Sequence, residues 1–141
     1  MLSGGNQISC YKKEIDGTHT ATWDFISHKG AAAVVPVTED GKILMVRQYR
    51  NALERYTLEV PAGALDAADE PGIVCAGREL EEETGFRSEN LEWLITLRTT
   101  VAFCNERIEV FVARDQCRLS PSYPDKNLRL LPYTLILSSD V

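Results

Sequence analysis

The chain has 141 residues, 44% hydrophobic and 26% charged, a size and composition that suit one globular domain with a sizeable core. Its net charge of −6 argues against binding nucleic acid or an anionic membrane, which need basic patches. No apolar run approaches the roughly 18 residues that span a bilayer, and residues 1–10 lack a basic-then-apolar signal pattern, so a cytoplasmic protein is expected.

In chain order, residues 8–16 and 20–27 read as two short strands joined by a turn at Asp16-Gly17, an N-terminal β-hairpin. Ala31 to Val37 is a continuous apolar run that suits a buried strand. Glu39-Asp40-Gly41 signals a turn, and Ile43 to Tyr49 follows as a strand, so residues 31–49 are predicted to form a hairpin. Thr57 to Val60 is another strand, broken by Pro61-Ala62-Gly63. A helix is predicted over Pro71 to Thr84. Leu91 to Thr99 and Glu106 to Ala113 read as strands. Strands, one helix, then strands again predict an α+β or α/β fold around a mixed sheet. In the tail, Pro121, Pro124 and Pro132 argue against a long helix. Cys10, Cys75, Cys104 and Cys117 have no C-x-x-C spacing and are read as buried, reduced thiols.

The helix carries the chemistry. Pro71 suits its first position, Asp69 and Glu70 favour its start, and Gly85 suits the left-handed residue just past its end. Ile73, Ala76, Leu80 and Thr84 make one buried stripe. Glu79 and Glu83 lie on an edge of that stripe one turn apart, with Glu82 beside them and Glu81 on the solvated side. Like charges at this spacing cost about 0.2–0.5 kcal/mol per pair, and carboxylates near a helix C-terminus face the negative end of its dipole. A hard cation with oxygen ligands reverses both penalties, and Mg²⁺ characteristically combines carboxylates with substrate phosphates.

Gly63, Glu70, Arg78-Glu79-Leu80, Glu82-Glu83 and Gly85-Phe86 resemble the Nudix box, G-x5-E-x7-R-E-U-x-E-E-x-G-U with U an aliphatic or bulky apolar residue. The box spans 63–86 here. Its second half matches at every constrained position. Its first half holds one extra residue: six residues separate Gly63 from Glu70, or, if Asp69 takes the acidic place, eight precede Arg78. Residues 44–50, 57–63 and 101–113 are similar to the flanking segments of ADP-ribose pyrophosphatases.

That resemblance implies an αβα Nudix sandwich around a mixed β-sheet, with residues 1–141 as a single domain. It implies Mg²⁺-dependent (Mn²⁺ as the alternative) hydrolysis of the ADP-ribose diphosphate to AMP and ribose 5-phosphate. Another nucleoside diphosphate-linked substrate, or a nucleotide-binding module with little turnover, are the alternatives. Glu79, Glu82, Glu83 and the Ala62 carbonyl would hold the metal, and Arg78 would orient the glutamates. Arg50 would clamp phosphate or ribose, and Glu59 would pair with Arg50, contact the nucleotide, or lie at an exposed strand edge. Arg47, on the opposite strand face, reads as a surface charge. Glu106 would lie near the diphosphate, and Glu109 is expected to be solvated. Trp23 would stack on adenine, or serve as plain core. Residues 1–28 would contribute to a homodimer interface. Relatives continue with an acid-rich loop and a C-terminal helix, which makes residues 118–141 an atypical tail. No glutamate follows Glu109, so the general base would be Asp125 or a box glutamate.

Overall fold

Apolar runs punctuated by Gly, Pro and Asp turns give this chain many short strands and a single long helical period. The structure, a computed structural model, describes residues 7–14, 17, 19–115, 117–118 and 129–133. Strands β1 (Gln7–Glu14) and β2 (Thr20–Ser27) form the expected N-terminal hairpin, with Tyr11 opposite Trp23. Next come β3 (Ala31–Pro36), β4 (Ile43–Arg50), a 3-10 turn (Asn51–Leu53), β5 (Arg55–Glu59) and β6 (Ala62–Ala64). Helix α1 (Gly72–Thr84) precedes β7 (Phe86–Arg87), β8 (Leu91–Leu97), β9 (Ile108–Ala113), β10 (Cys117–Arg118) and β11 (Arg129–Tyr133).

A four-stranded mixed sheet has the order β6-β3-β9-β8, with β3 and β9 parallel. A three-stranded antiparallel sheet has the order β11-β4-β5, and β10 pairs with β7. The predicted hairpin over 31–49 does not form. β3 and β4 enter different sheets and share only a bridge between Val37 and Ile43, beside a turn in which Thr38 N–H donates to the Lys42 carbonyl. The reason lies in β3 itself. Ala31 to Val34 are all buried, so both faces need cover, and such a strand belongs in the middle of a sheet. β4 alternates, burying Leu44 and Val46 between less buried neighbours, and suits a sheet with one face open.

The break at Pro61 is also shorter than expected, since Ala62–Ala64 re-enters as β6 against β3. Pro132 lies in β11 at the edge of its sheet, where a missing N–H is tolerated. The rest of the tail, including Asp125, lies outside the described residues. α1 is the one α-helix among the residues described, so the expected αβα sandwich shows one helical layer there.

α1 packs against β3, β6 and β9. Its Cys75, Ala76 and Leu80 join Ala32, Val34, Leu65, Phe111 and Ala113 in the core. Burying a side chain the size of Leu80 contributes about 1.5–3 kcal/mol. Pro71 is the extended residue before the helix rather than its first turn, and Gly85, at φ 70°, closes the end by donating its N–H to the Glu81 carbonyl. The buried face differs from the predicted stripe at Ile73, which is 45% exposed. Cys75 takes its place.

Candidate active site

The strand-to-helix geometry sets a bare backbone corner against the acidic end of α1. Gly63 on β6 faces Glu79: a Cβ built there would lie 2.0 Å from Glu79 Oε1. The missing side chain is what admits the carboxylate, so Glu79 is buried (8% exposed) within the helix face rather than at its edge. Burial raises its pKa, against the lowering effect of Arg78.

Arg78 is the hub of the corner. Its Nη1 donates to Glu79 Oε1 at 2.6 Å and lies 3.6 Å from Glu82 Oε2. Its Nη2 donates to the Ala64 carbonyl at 3.2 Å and lies 3.6 Å from Glu70 Oε2. Its buried Nε sits 3.4 Å from Asp66 Oδ2 without forming a hydrogen bond. Burial works against the Arg78 charge, but the surrounding carboxylates, Glu79 first, outweigh it and raise the pKa. Beneath it, Cys75 is buried as predicted, and burial pushes its thiol up to about 11. The other described free thiol, Cys104, is only partly buried.

Glu83 completes the corner. Its Oε2 accepts the Ala62 N–H at 3.2 Å. Burial pushes its carboxyl up to about 7; the Ala62 hydrogen bond opposes this, Glu79 adds to it, and Arg50 opposes it. Glu82 is more open, with its side chain 56% exposed. Glu81 turns to Arg87 at 3.7 Å, on the solvent side as expected.

Arg50 faces this corner from β4. Its Nε donates to Glu59 Oε1 at 2.8 Å and its Nη2 to Glu59 Oε2, a two-pronged pair. The Arg50 bond is the main cause of a lowered Glu59 pKa, with burial opposing and a Thr57 hydrogen bond assisting. Of the readings open for Glu59, pairing with Arg50 is the one observed. Arg47 is more than a surface charge: its guanidinium stacks 3.6 Å over the Tyr56 ring.

The structure also decides between Asp69 and Glu70. Glu70 accepts the Asp66 N–H at 2.6 Å and approaches Arg78, whereas Asp69 is exposed. Asp66 and the Ala64 carbonyl were missed from sequence, because neither stands out in a pattern. Thr57 was missed too, although its place two residues from Glu59 puts both on one strand face.

Two expected site residues stand apart from the Arg78 cluster. Trp23 lies half exposed on β2. Glu106 accepts from Thr99 Oγ1 at 2.5 Å and lies 3.6 Å from His28 Nε2. Glu109 is not solvated. It is partly buried, with its carboxylate against Gly72 at the start of α1 and 2.9 Å from Arg107 Nη2. A carboxylate there favours the helix N-terminus, which has no side-chain cap.

The donors are hard oxygens, the right chemistry for Mg²⁺ or Mn²⁺. Among the described residues, however, no three His, Cys, Asp or Glu groups converge on one point, and Arg78 Nη1 lies between Glu79 and Glu82. The buried Glu79 and the partly buried Glu83, both raised in pKa by burial, still make a place where a cation relieves the charge.

Fold and corner together define an α+β protein with an acidic, arginine-fronted site on one helix. Residues 27–134 match the model of the NUDIX domain, and the chain belongs to that family. It is 43% identical over 101 residues to the methanol dehydrogenase activator of Bacillus methanolicus, covering 72% of this chain and 54% of that protein. It is 38% identical over 117 residues to the ADP-ribose pyrophosphatase of Bacillus subtilis, covering 82% of this chain and 63% of that protein. A crystal structure of an ADP compounds hydrolase shares the fold with a TM-score of 0.75 at 22% identity, covering 96% of this chain and 74% of that one. The chain thus spans less than two thirds of the length of these two curated relatives.

Proposed function

We propose that this chain is a single-domain Nudix hydrolase that cleaves the diphosphate of ADP-ribose to AMP and ribose 5-phosphate with Mg²⁺, or with Mn²⁺ in its place. The observation that carries the reading is a pair of carboxylates at one corner, Glu79 buried against Gly63 and Glu83 partly buried within the field of the Arg50 guanidinium. Carboxylates gathered at one corner, with an arginine whose charge acts on Glu83, suit a cation and a phosphate together. Similarity to an ADP-ribose pyrophosphatase supports the choice of nucleotide.

In this reading Glu79, Glu82, Glu83 and the Ala62 carbonyl hold the metal. When bound, the cation supplies charge neutralisation on the bridging and leaving oxygens and a water of lowered pKa. Arg78 keeps Glu79 oriented through its 2.6 Å bond. Arg50 grips a phosphate through the donors that Glu59 leaves free. Glu82 is the most exposed of the three glutamates and has one 3.6 Å contact to Arg78, which suits it to accept a proton from water better than its tied neighbours. Trp23 stacks on adenine and Glu106 lies near the diphosphate once a second copy, docked through residues 1–28, completes the site. No helix among the described residues is long and apolar enough to cross a membrane; a cytoplasmic homodimer is the proposed setting.

A panel of nucleoside diphosphate-linked compounds tests this reading. ADP-ribose should give the highest kcat/KM with Mg²⁺. A different preferred compound would keep the family chemistry and move the substrate. A second reading, a nucleotide-binding module with little turnover, is favoured by the lack of three converging donors among the described residues. Metal-dependent ADP-ribose binding with no product would establish it.

A further inference from the structure

Thr57 precedes Glu59 by two residues on β5, so their side chains share one face of the strand. Its Oγ1 donates to Glu59 Oε1 at 2.5 Å and stands 3.3 Å from the Gln48 carbonyl. A hydroxyl has one proton, and the shorter, charge-assisted contact takes it. The same Oε1 accepts Arg50 Nε–H at 2.8 Å. A glutamate carboxylate rotates freely about its last torsion, which has no sharp preference of its own. The Thr57 hydroxyl, on the short side chain two residues along the same strand, holds one oxygen and limits that freedom. The Glu59 plane then meets the Nε–Nη2 edge of Arg50 and sets the direction of the whole guanidinium, which has five N–H donors in a rigid fork. The Arg50 side chain is half exposed.

We propose that Thr57 is a positioning residue for diphosphate binding: its hydroxyl fixes the Glu59 carboxylate, and Glu59 in turn aims Arg50 at the phosphate. The inference rests on the reading of Arg50 as a phosphate clamp. A purely local role for Thr57 would need only its branched shape, which suits a strand.

Thr57→Val keeps that shape and removes the hydroxyl; Thr57→Ser restores the hydroxyl without the methyl. Two readouts are taken on each, and on Thr57→Ala in case valine perturbs folding. The first is exchange of the Arg50 Nε–H proton with solvent by NMR, which needs no turnover. The second is the split between KM and kcat for ADP-ribose with Mg²⁺. Loss of the hydroxyl should speed the exchange and raise KM roughly 3- to 10-fold with kcat nearly unchanged, the scale of one charge-assisted hydrogen bond felt through a neighbour, and serine should restore both. Wild-type exchange and KM in Thr57→Val and Thr57→Ala would overturn the proposal. So would a loss of kcat and stability that serine fails to repair. If no diphosphate is hydrolysed by the wild type, the proposed function fails, and exchange together with the affinity for ADP-ribose measured by calorimetry in chelator still decides the role of Thr57.

Discussion

Gly63→Ala separates the stability of this fold from its proposed chemistry. The new methyl would sit 2.0 Å from Glu79 Oε1 and 2.2 Å from Glu79 Cδ, so the carboxylate must retreat by about 1.4 Å to reach the 3.4 Å of ordinary contact. The obstacle is the end of a flexible side chain, and the backbone can stay in place. Retreat breaks the Arg78–Glu79 hydrogen bond, worth about 1.5–3 kcal/mol for a charged pair. Replacing glycine returns about 0.4–1 kcal/mol through the unfolded state. The net loss of about 0.5–2.6 kcal/mol corresponds to a fall in Tm of roughly 2–10 °C for a chain of this size. Catalysis should suffer far more, since a misplacement of about 1 Å can cost about 100-fold. Calorimetry with Mg²⁺ and initial rates with ADP-ribose measure the effect, and circular dichroism confirms the fold. Adding Glu79→Asp, which shortens the side chain by one methylene, should recover part of the metal affinity. Wild-type metal affinity and turnover in Gly63→Ala would refute the reasoning. A collapse of the fold would refute it too, because Gly63 would then serve packing rather than admit Glu79.

Glu83→Gln should lower kcat/KM by more than about 100-fold, since losing a ligand should exceed the 10- to 100-fold typical of outer-shell losses; near-normal activity would remove Glu83 from the metal site. Trp23→Ala should raise the KM for ADP-ribose more than it lowers kcat, by roughly 5- to 100-fold if a base stacks there, and an unchanged KM would end the stacking role. Glu83 also sets a pH dependence. Its folded pKa is raised from 4.5 to about 7, so the metal-free native state keeps a proton that the unfolded chain releases. That stability is fully present below about pH 4.5 and lost as pH rises through about 7. A metal needs the carboxylate form, so its affinity should climb over the same window. Calorimetry at pH 6.5 in two buffers of different ionisation enthalpy should then report proton release, and identical heats would contradict the assignment.

The helix was legible because its signals are local. Gly85 at the end, Pro71 at the start and the spacing of Ala76, Leu80 and Thr84 each follow from backbone geometry over a few residues. Ile73 was misread because periodicity gives the orientation of a stripe but not where its partner sheet ends. The hairpin over 31–49 failed for a related reason. Adjacency and a turn signal favour pairing, but an all-buried β3 was claimed by β6 and β9, and the parallel partner lies more than seventy residues away. In the candidate site, Arg78, Glu79, Glu82 and Glu83 share one helix and could be read together. Asp66, the Ala64 carbonyl and the choice of Glu70 over Asp69 depend on how a loop returns to Arg78, which no pattern states. Glu109 looked solvated because its role, facing the start of α1, arises only when β9 packs beneath the helix.

The most direct test incubates the protein with ADP-ribose and Mg²⁺, with and without chelator, and identifies the products. The account predicts AMP and ribose 5-phosphate in equal amounts, abolished by chelator and restored by excess Mg²⁺. Intact ADP-ribose with a folded, metal-loaded protein, or products that persist in chelator, would contradict it.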